Sequence, residues 1–395
     1  MRIDAVEVFV VGPSTAKHTW ASDLPEQYMT NTIVRLTSDD GCEGVGGVSS
    51  YSGTGFDLSI AETLRHMLPL LLGADPLDRE RIWSRLQPTT LPPAPGARSV
   101  VDIALWDWLG KYVRLPIHKL LGGSCPRIQA YASTPLLSSV EAYVDFTSQL
   151  RAEGFTAIKF HAWCEPDRDL EMVRAVRRVH TEPDLRFMFD AENRYDRRAA
   201  LRVALELQDL GFHWFEAPLP DLDLEGYRRL RSQVRISIIP AGNWVLDPQA
   251  INQALYTGVW DAARVDASVC GGITAARKVM TIAEAAGCRC ELQCWGYTLS
   301  QAANLQTMLG LPNCSFFEQP VPYDAFEYGM FDAIRPRADG YVYAADAAGL
   351  GVRVDWDAIR GATLSKIQFS EKASGHAASS DGGGWTARAS TGTNL

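Results

Sequence analysis

Residues 186–217 read RFMFDAENRYDRRAALRVALELQDLGFHWFEA and contain two apolar runs on either side of a helical pattern. The stretch opens with an apolar run that ends in Asp190, continues with amphipathic helical spacing, and closes on a second apolar run that ends in Glu216. Apolar runs that alternate with amphipathic helices are typical of βα units, in which neighbouring strands are parallel. The stretch therefore predicts one strand–helix–strand unit of a parallel sheet.

The same unit recurs along residues 126–339. Its apolar runs are QAYAST, AIKFHA, RFMFDA, HWFEA, SIIPAG, AARVDA, RCELQC and SFFEQP. Eight strands over roughly 200 residues fit a closed TIM-type barrel. We therefore expect an α/β fold with the barrel as its catalytic domain.

The first 125 residues follow a different pattern. The runs IDAVEVFVV and NTIVRLTSDDGCEGVGGV predict antiparallel strands, with Asp40-Gly41 as a hairpin turn, and helical spacing follows them. We expect an α+β domain over residues 1–125, completed by residues 340–365. Residues 370–395 are rich in Ser, Gly and Ala, which predicts a disordered tail.

Composition excludes several classes of protein. The formal net charge of −9 over 395 residues, without a basic run, argues against nucleic-acid binding. The sequence MRIDAVEVFVV lacks the features of a signal peptide, and no apolar stretch reaches the ~18 residues of a membrane span. Eight cysteines lie scattered along the chain, as reduced thiols do. We expect a cytoplasmic protein without a nucleic-acid or membrane partner.

Polar side chains stand at or just after the ends of seven predicted strands. In a parallel barrel those carboxyl ends meet at one mouth, where the chemistry of such barrels takes place. The residues are Lys159, His161, Asp190, Glu216, Asn243, Asp266, Gln293 and Glu318. We take this set as the candidate active site.

Two subsets of these residues suggest specific chemistry. Asp190, Glu216 and Asn243 offer hard oxygen ligands from three consecutive strands, which suits Mg²⁺ with positions left for water and substrate. The alternative is that the two acids are helix caps or exposed loop carboxylates. Lys159 and His161 share one strand face, so both should point into the barrel mouth; a structural buried ion pair is the alternative there.

An ordered series of segments resembles the mandelate racemase-like subgroup of the enolase superfamily, over about residues 1 to 360. The segments are SVVDIALWDWLGKYVRLPIHKLLGG, KFH, FDAENRY, WFEAPLPDLDLEGY, PAGNWVL, RVDASVCGGIT, QCWGYTLSQAANL and FFEQP. The resemblance implies a modified (β/α)7β barrel with a capping domain, one Mg²⁺ per subunit and a homo-oligomer. It places the metal ligands at Asp190, Glu216 and Asn243, with asparagine third as in glucarate dehydratase-like members.

The resemblance also implies catalytic roles. Lys159 matches the lysine that neutralises the substrate carboxylate, and His161 stands where many members carry a second lysine that acts as the base. A histidine suits that task because its reference pKa of ~6.5 is near working pH. Glu318 matches an acid that hydrogen-bonds the substrate carboxylate, a role that needs it protonated or otherwise protected.

One position departs from the family pattern. Gln293 stands where a histidine would pair with Asp266, and glutamine cannot exchange a proton at neutral pH. Two-base racemisation therefore loses a partner, and the alternative for Asp266 is a structural pair with Arg264. Proton abstraction by His161 followed by loss of a β-hydroxyl predicts a dehydratase of a sugar acid or related hydroxy acid. A racemase, epimerase or cycloisomerase, and a catalytically silent metal-binding barrel, remain as alternatives.

Substrate selection is expected from two loops of the capping domain, residues 13–28 and 49–57. They carry side chains that could close over a small carboxylate substrate. These are His18, Trp20, Tyr51 and Phe56.

Overall fold

The computed structural model describes residues 1–22, 24–49, 54–89 and 95–370. The predicted disordered tail thus lies, beyond Ser370, outside the described residues, and so does Tyr51. Within the described ranges, no helix combines the length and the apolar character needed to cross a membrane.

The N-terminal domain is a four-stranded antiparallel sheet covered by helices. In this sheet the strand at residues 3–11 lies between the strands at residues 363–370 and 31–38, and the strand at residues 43–48 pairs with residues 31–38. The last described strand of the chain therefore pairs with the first. The hairpin turn falls at Gly41, whose φ of 84° suits glycine. The strands are β1 (Ile3–Val11), β2 (Asn31–Ser38), β3 (Glu43–Val48) and β13 (Thr363–Ser370), and the helices are α1 (Thr54–Met67), α2 (Arg79–Leu86), α3 (Gly96–Val113) and α4 (Ile117–Leu121).

The expected barrel is confirmed, and its eight strands fall within or next to the eight predicted apolar runs. The strands are β4 (Arg127–Ser133), β5 (Ala157–His161), β6 (Arg186–Asp190), β7 (Trp214–Glu216), β8 (Ser237–Ile239), β9 (Ala262–Val265), β10 (Arg289–Leu292) and β11 (Phe316–Pro320). Parallel ladders join β11-β4-β5-β6-β7-β8 and β9-β10, and the two sets lie side by side to close the ring.

Seven helices alternate with these strands in the described part of the chain, which makes the barrel (β/α)7β. They are α5 (Val140–Ala152), α6 (Pro166–Val179), α7 (Arg197–Asp209), α8 (Leu224–Gln233), α9 (Pro248–Tyr256), α10 (Gly272–Ala285) and α11 (Thr298–Gly310). After the barrel come β12 (Tyr341–Tyr343), antiparallel to β4, and α12 (Trp356–Gly361).

The barrel interior is layered because strand residues alternate between its two faces. An apolar floor comes first, made of Tyr131, Ala157, Met188, Trp214, Ile239, Ala262 and Phe316. Two residues further along the same strands lie charged side chains such as Lys159, Glu216 and Glu318, all buried. The floor shields these charges from the solvent below, so their partners must come from the barrel itself.

The two domains meet at the start of α10. The Thr274 backbone N–H donates to Asp102 Oδ2 of α3 at 2.9 Å, and Trp83 Nε1 of α2 donates to the Gly271 carbonyl at 2.7 Å. Gly272 has a φ of +89°, and a Cβ there would lie 2.2 Å from the Asp102 carboxylate. Glycine is therefore required at this contact. The first turn of α10 is thus held by side chains from the other domain.

Candidate active site

Strand register places three of the predicted site residues in one row at the mouth of the barrel. His161 of β5 pairs with Asp190 of β6, and Asp190 pairs with Glu216 of β7. On the other side of the ring, β11 brings Glu318 beside Tyr131 of β4. Side chains far apart in the sequence therefore meet because their strands end at the same level.

Lys159 lies two residues before His161 on β5 and is the centre of a cluster of carboxylates. Its Nζ lies 2.9 Å from Glu216 Oε1, 2.8 Å from Glu318 Oε1 and 3.2 Å from Asp190 Oδ2, and the side chain is buried. Burial alone would favour a neutral amine, but Glu216 and Glu318 outweigh it and raise the pKa of Lys159. The ammonium ion is therefore fixed in its charged form inside the barrel.

Glu318 is an ionised acceptor in this arrangement. Besides Lys159, it accepts from Arg264 Nη2 at 3.0 Å, the Cys294 backbone N–H at 3.0 Å and Ser133 Oγ at 3.0 Å. Burial opposes ionisation, but Lys159 and Arg264 together lower the pKa of Glu318 to about 2. The protonated Glu318 that a donor role would need is not favoured by these surroundings, because the carboxylate is held by donors at both oxygens.

His161 is held in place by the main chain through one of its ring nitrogens. Its Nδ1 lies 2.6 Å from the Thr134 carbonyl oxygen, which can only accept, so Nδ1 carries the hydrogen. Burial lowers the pKa of His161 and favours the neutral ring. Its Nε2 lies 3.2 Å from Asp190 Oδ2 and 3.3 Å from Glu192 Oε1. Nε2, the ring nitrogen without a backbone partner, thus faces the carboxylates at the mouth and is the atom through which the ring can exchange a proton.

Glu192 is a site residue that the sequence analysis missed. Glu192 and Asn193 have φ values of 49° and 61°, a left-handed turn that carries the chain back over the end of β6. The Glu192 backbone N–H donates to Asp190 Oδ1 at 2.9 Å. Burial and the charge of Asp190 raise the pKa of Glu192 to about 8, so its carboxyl group can hold a proton beside His161 Nε2. The adjacent Asn193, a residue that tolerates this conformation, was the available signal.

The predicted metal ligands Asp190, Glu216 and Asn243 are chemically suited to bind a divalent metal ion. Asp190 and Glu216 are neighbours in register, and Asn243 Oδ1 is buried without a hydrogen-bond partner among the described residues. Asp221 holds the loop before Asn243 by accepting from the Ala241 backbone N–H at 2.9 Å. Oxygen donors of this kind suit Mg²⁺. His161, Asp190 and Glu192 also offer ligand atoms within 4.8 Å of one another, so Asp190 belongs to both groups.

Asp266 and Gln293 lie together at the opposite side of the mouth. Asp266 is buried and accepts from the Ser268 backbone N–H and from Asn304 Nδ2, both at 2.7 Å. The Gln293 backbone N–H donates to the Val265 carbonyl at 2.9 Å, which places Gln293 next to Asp266. The suggested pairing of Asp266 with Arg264 is wrong, since Arg264 forms its ion pairs with Glu216 and Glu318.

An aromatic wall covers His161. The ring of Trp20 lies 6.3 Å and that of Trp295 6.0 Å from the imidazole, and the two indoles are 4.5 Å apart. Trp20 is 3% exposed, and its Nε1 has no partner in the described part of the chain. Of the other predicted loop residues, His18 is half-buried and its Nε2 has no partner among the described residues, whereas Phe56 is 53% exposed at the start of α1. The structure thus brings Trp20, but not Phe56, to His161.

Comparison with known proteins agrees with this architecture. Residues 5–122 match the mandelate racemase/muconate lactonizing enzyme N-terminal domain, and residues 142–358 match the enolase C-terminal domain-like family. A crystal structure from Pseudovibrio sp., assigned to the mandelate racemase/muconate lactonizing enzymes, is 39% identical; it covers 94% of this chain and 99% of its own, with a TM-score of 0.91.

Two further relatives have more specific names. The D-galactarolactone cycloisomerase of Agrobacterium fabrum is 28% identical over 358 residues, which is 83% of this chain and 90% of that protein. The D-glucarate dehydratase of Agrobacterium tumefaciens, crystallised with magnesium, is 27% identical and has a TM-score of 0.80; the match covers 92% of this chain and 100% of that one.

Fold and site together define a capped (β/α)7β barrel of the enolase superfamily, with its polar residues gathered at the carboxyl ends of the strands. Within that class, the chain belongs to the mandelate racemase/muconate lactonizing enzyme family.

Proposed function

We propose that this protein removes the proton alpha to the carboxylate of a sugar acid or related hydroxy acid and then eliminates a β-hydroxyl as water. The observation that carries the proposal is His161. Its Nδ1 hydrogen is committed to the Thr134 carbonyl, so its Nε2 is the atom left to accept a proton. Beside it stands Lys159, a buried cation placed to neutralise a substrate carboxylate.

The proposed metal is one Mg²⁺, held by Asp190, Glu216 and Asn243. When bound, it supplies Lewis-acid stabilisation of the negative charge that develops on the substrate carboxylate. The magnesium in the related glucarate dehydratase structure supports this choice.

The chain's own residues account for the remaining steps. The α-C–H bond breaks as His161 Nε2 takes the proton, and Lys159 donates hydrogen bonds to the carboxylate, which becomes an enediolate. Glu318, ionised between its donors, orients the lysine ammonium. The β-C–O bond then breaks, and the proton held by His161 leaves with the hydroxyl as water. The enol product tautomerises to a 2-keto acid.

A single base serves both proton transfers in this scheme. The use of one base is consistent with Gln293, since an amide cannot act as a base on the opposite face of the α-carbon. The second candidate is isomerisation of a related acid, which the similarity to a cycloisomerase favours. Both candidates begin with the same proton abstraction.

Product analysis tests the proposal. The protein is incubated with Mg²⁺ in D₂O against a panel of aldonates, aldarates, sugar lactones and cyclic hydroxy acids, and products are followed by mass spectrometry. Appearance of a 2-keto acid is the expected result. Deuterium uptake without loss of water supports isomerisation, and neither signal with any acid would leave the chain as a metal-binding barrel without this chemistry.

A further inference from the structure

Arg264 is a buried cation whose role the steps above leave open. It lies on β9 with 1% exposure, in the same charged layer as Lys159. Its Nε lies 2.7 Å from Glu216 Oε1, its Nη2 lies 3.0 Å from Glu318 Oε2, and Nη2 also donates to Tyr131 OH at 3.2 Å. A guanidinium in this position is a costly group to bury, so its partners must compensate for lost hydration.

Arg264 and Lys159 share the same two carboxylates. Lys159 Nζ contacts Glu216 Oε1 and Glu318 Oε1, at 2.9 and 2.8 Å. The four side chains therefore form a closed ring in which positive and negative groups alternate. Only Lys159 among the two cations also reaches Asp190, at the level of His161. Arg264 lies on β9 in the layer beneath the mouth, and Asp266 follows directly after the end of that strand.

We propose that Arg264 is a positioning residue, which shares the charge of Glu216 and Glu318 and so leaves the Lys159 ammonium available to the substrate carboxylate. The inference rests on the proposed function, since it assigns Lys159 a substrate partner. Without Arg264, Lys159 would be the one side-chain cation that these two buried carboxylates share, and both would compete with the substrate for its three N–H groups. The planar fork of arginine allows separate nitrogens to contact the two carboxylates.

Two substitutions separate the charge of Arg264 from its shape. Arg264→Gln keeps a hydrogen-bonding group but removes the charge, and Arg264→Lys keeps the charge but loses the fork. Tyr131→Phe is the matched control, because it removes one neutral contact of the same guanidinium. Each folded variant is compared by circular dichroism, by Mg²⁺ titration in a calorimeter, and by kcat and KM with an acid that the wild type converts.

We expect Arg264→Gln to lower kcat/KM at least tenfold while Mg²⁺ binding tightens by up to about tenfold, because a positive charge next to a ligand carboxylate is gone. Arg264→Lys should keep Mg²⁺ affinity within twofold and retain at least a tenth of wild-type kcat/KM. Tyr131→Phe should change neither quantity by more than about twofold.

The opposite pattern overturns the inference. It fails if folded Arg264→Gln binds Mg²⁺ more weakly, or if its kcat/KM stays within twofold of wild type, since arginine would then only support packing. If the Gln variant does not fold, the Lys variant decides: loss of Mg²⁺ affinity, or of more than nine-tenths of kcat/KM, refutes a role for the charge. A wild type that converts no acid refutes the proposed function instead, and weaker Mg²⁺ binding by Arg264→Gln would still refute the charge effect.

Discussion

The contact between the two domains makes protein stability depend on the protonation of Asp102. This side chain is 2% exposed, accepts from the Thr274 backbone N–H and has no partner at Oδ1 among the described residues. Burial raises its pKa from 3.8 to about 6, against the hydrogen bonds of Thr274. The folded protein thus binds this proton more tightly than the unfolded chain does.

The sign and size of the effect follow from linkage. Between pH 3.8 and about 6 the folded state holds the proton and the unfolded state does not, so stability from this group rises as the pH falls. Above both pKa values the carboxylate is ionised in the folded and the unfolded state. Its burial then lowers the free energy of unfolding by the full pKa difference, which at ~1.36 kcal/mol per pH unit is about 3 kcal/mol. Asp102→Asn is neutral at every pH and removes this dependence.

The assay is urea unfolding of wild type and Asp102→Asn at pH 4.5 and pH 7.5. The free energy of unfolding of the variant minus that of wild type should increase by about 2 kcal/mol from the lower to the higher pH. Effects of the substitution that do not depend on pH cancel in this comparison. Asp145→Asn, an exposed acid on α5, is the control and should show no comparable trend. A difference for Asp102→Asn that is equal at both pH values would refute the linkage.

Three predictions concern the mouth of the barrel. Trp20→Ala should raise KM by at least about tenfold, because the indole covers His161. Trp20→Phe should recover the packing but not a hydrogen bond to the substrate from Nε1, which has no partner among the described residues; equal KM for all three proteins would contradict this. Asn243→Ala should weaken Mg²⁺ binding at least tenfold and Asn243→Asp should strengthen it, measured by calorimetry, because the metal prefers charged oxygens; no change in either would remove Asn243 from the ligands. Gln293→His should place an exchangeable proton beside Asp266 and introduce isomerisation, read as deuterium uptake with inversion at the α-carbon; unchanged stereochemistry would show that the histidine does not reach the substrate.

The barrel strands and many of the side chains at the mouth could be predicted, because they depend on local sequence patterns. Alternation along β5 predicts that Lys159 and His161 share a face, and both are buried beside Asp190. Parallel strands end at one level, so Asp190 and Glu216 meet although 26 residues apart in the sequence. These inferences need only strand positions, which the apolar runs supply.

The pairing of charges could not be predicted, because it depends on which strands face each other across the ring. Arg264 on β9 reaches Glu216 on β7 and Glu318 on β11, although Asp266 is its nearer neighbour in sequence. Glu192 was missed because a left-handed turn, and not strand periodicity, brings it to His161. The sequence also did not show which loop side chains reach the site: the ring of Trp20 lies next to His161, whereas Phe56 is exposed.

In the proposed mechanism His161 is the base and not a metal ligand, although its Nε2 lies 3.2 Å from Asp190 Oδ2. The most direct test is the rate of α-deuterium exchange in D₂O by His161→Gln, with an acid that the wild type converts and with Mg²⁺ saturating by calorimetry. We predict a loss of at least about 100-fold in exchange, with Mg²⁺ affinity within a few-fold of wild type. Exchange at the wild-type rate, or exchange lost only because Mg²⁺ no longer binds, would contradict the account.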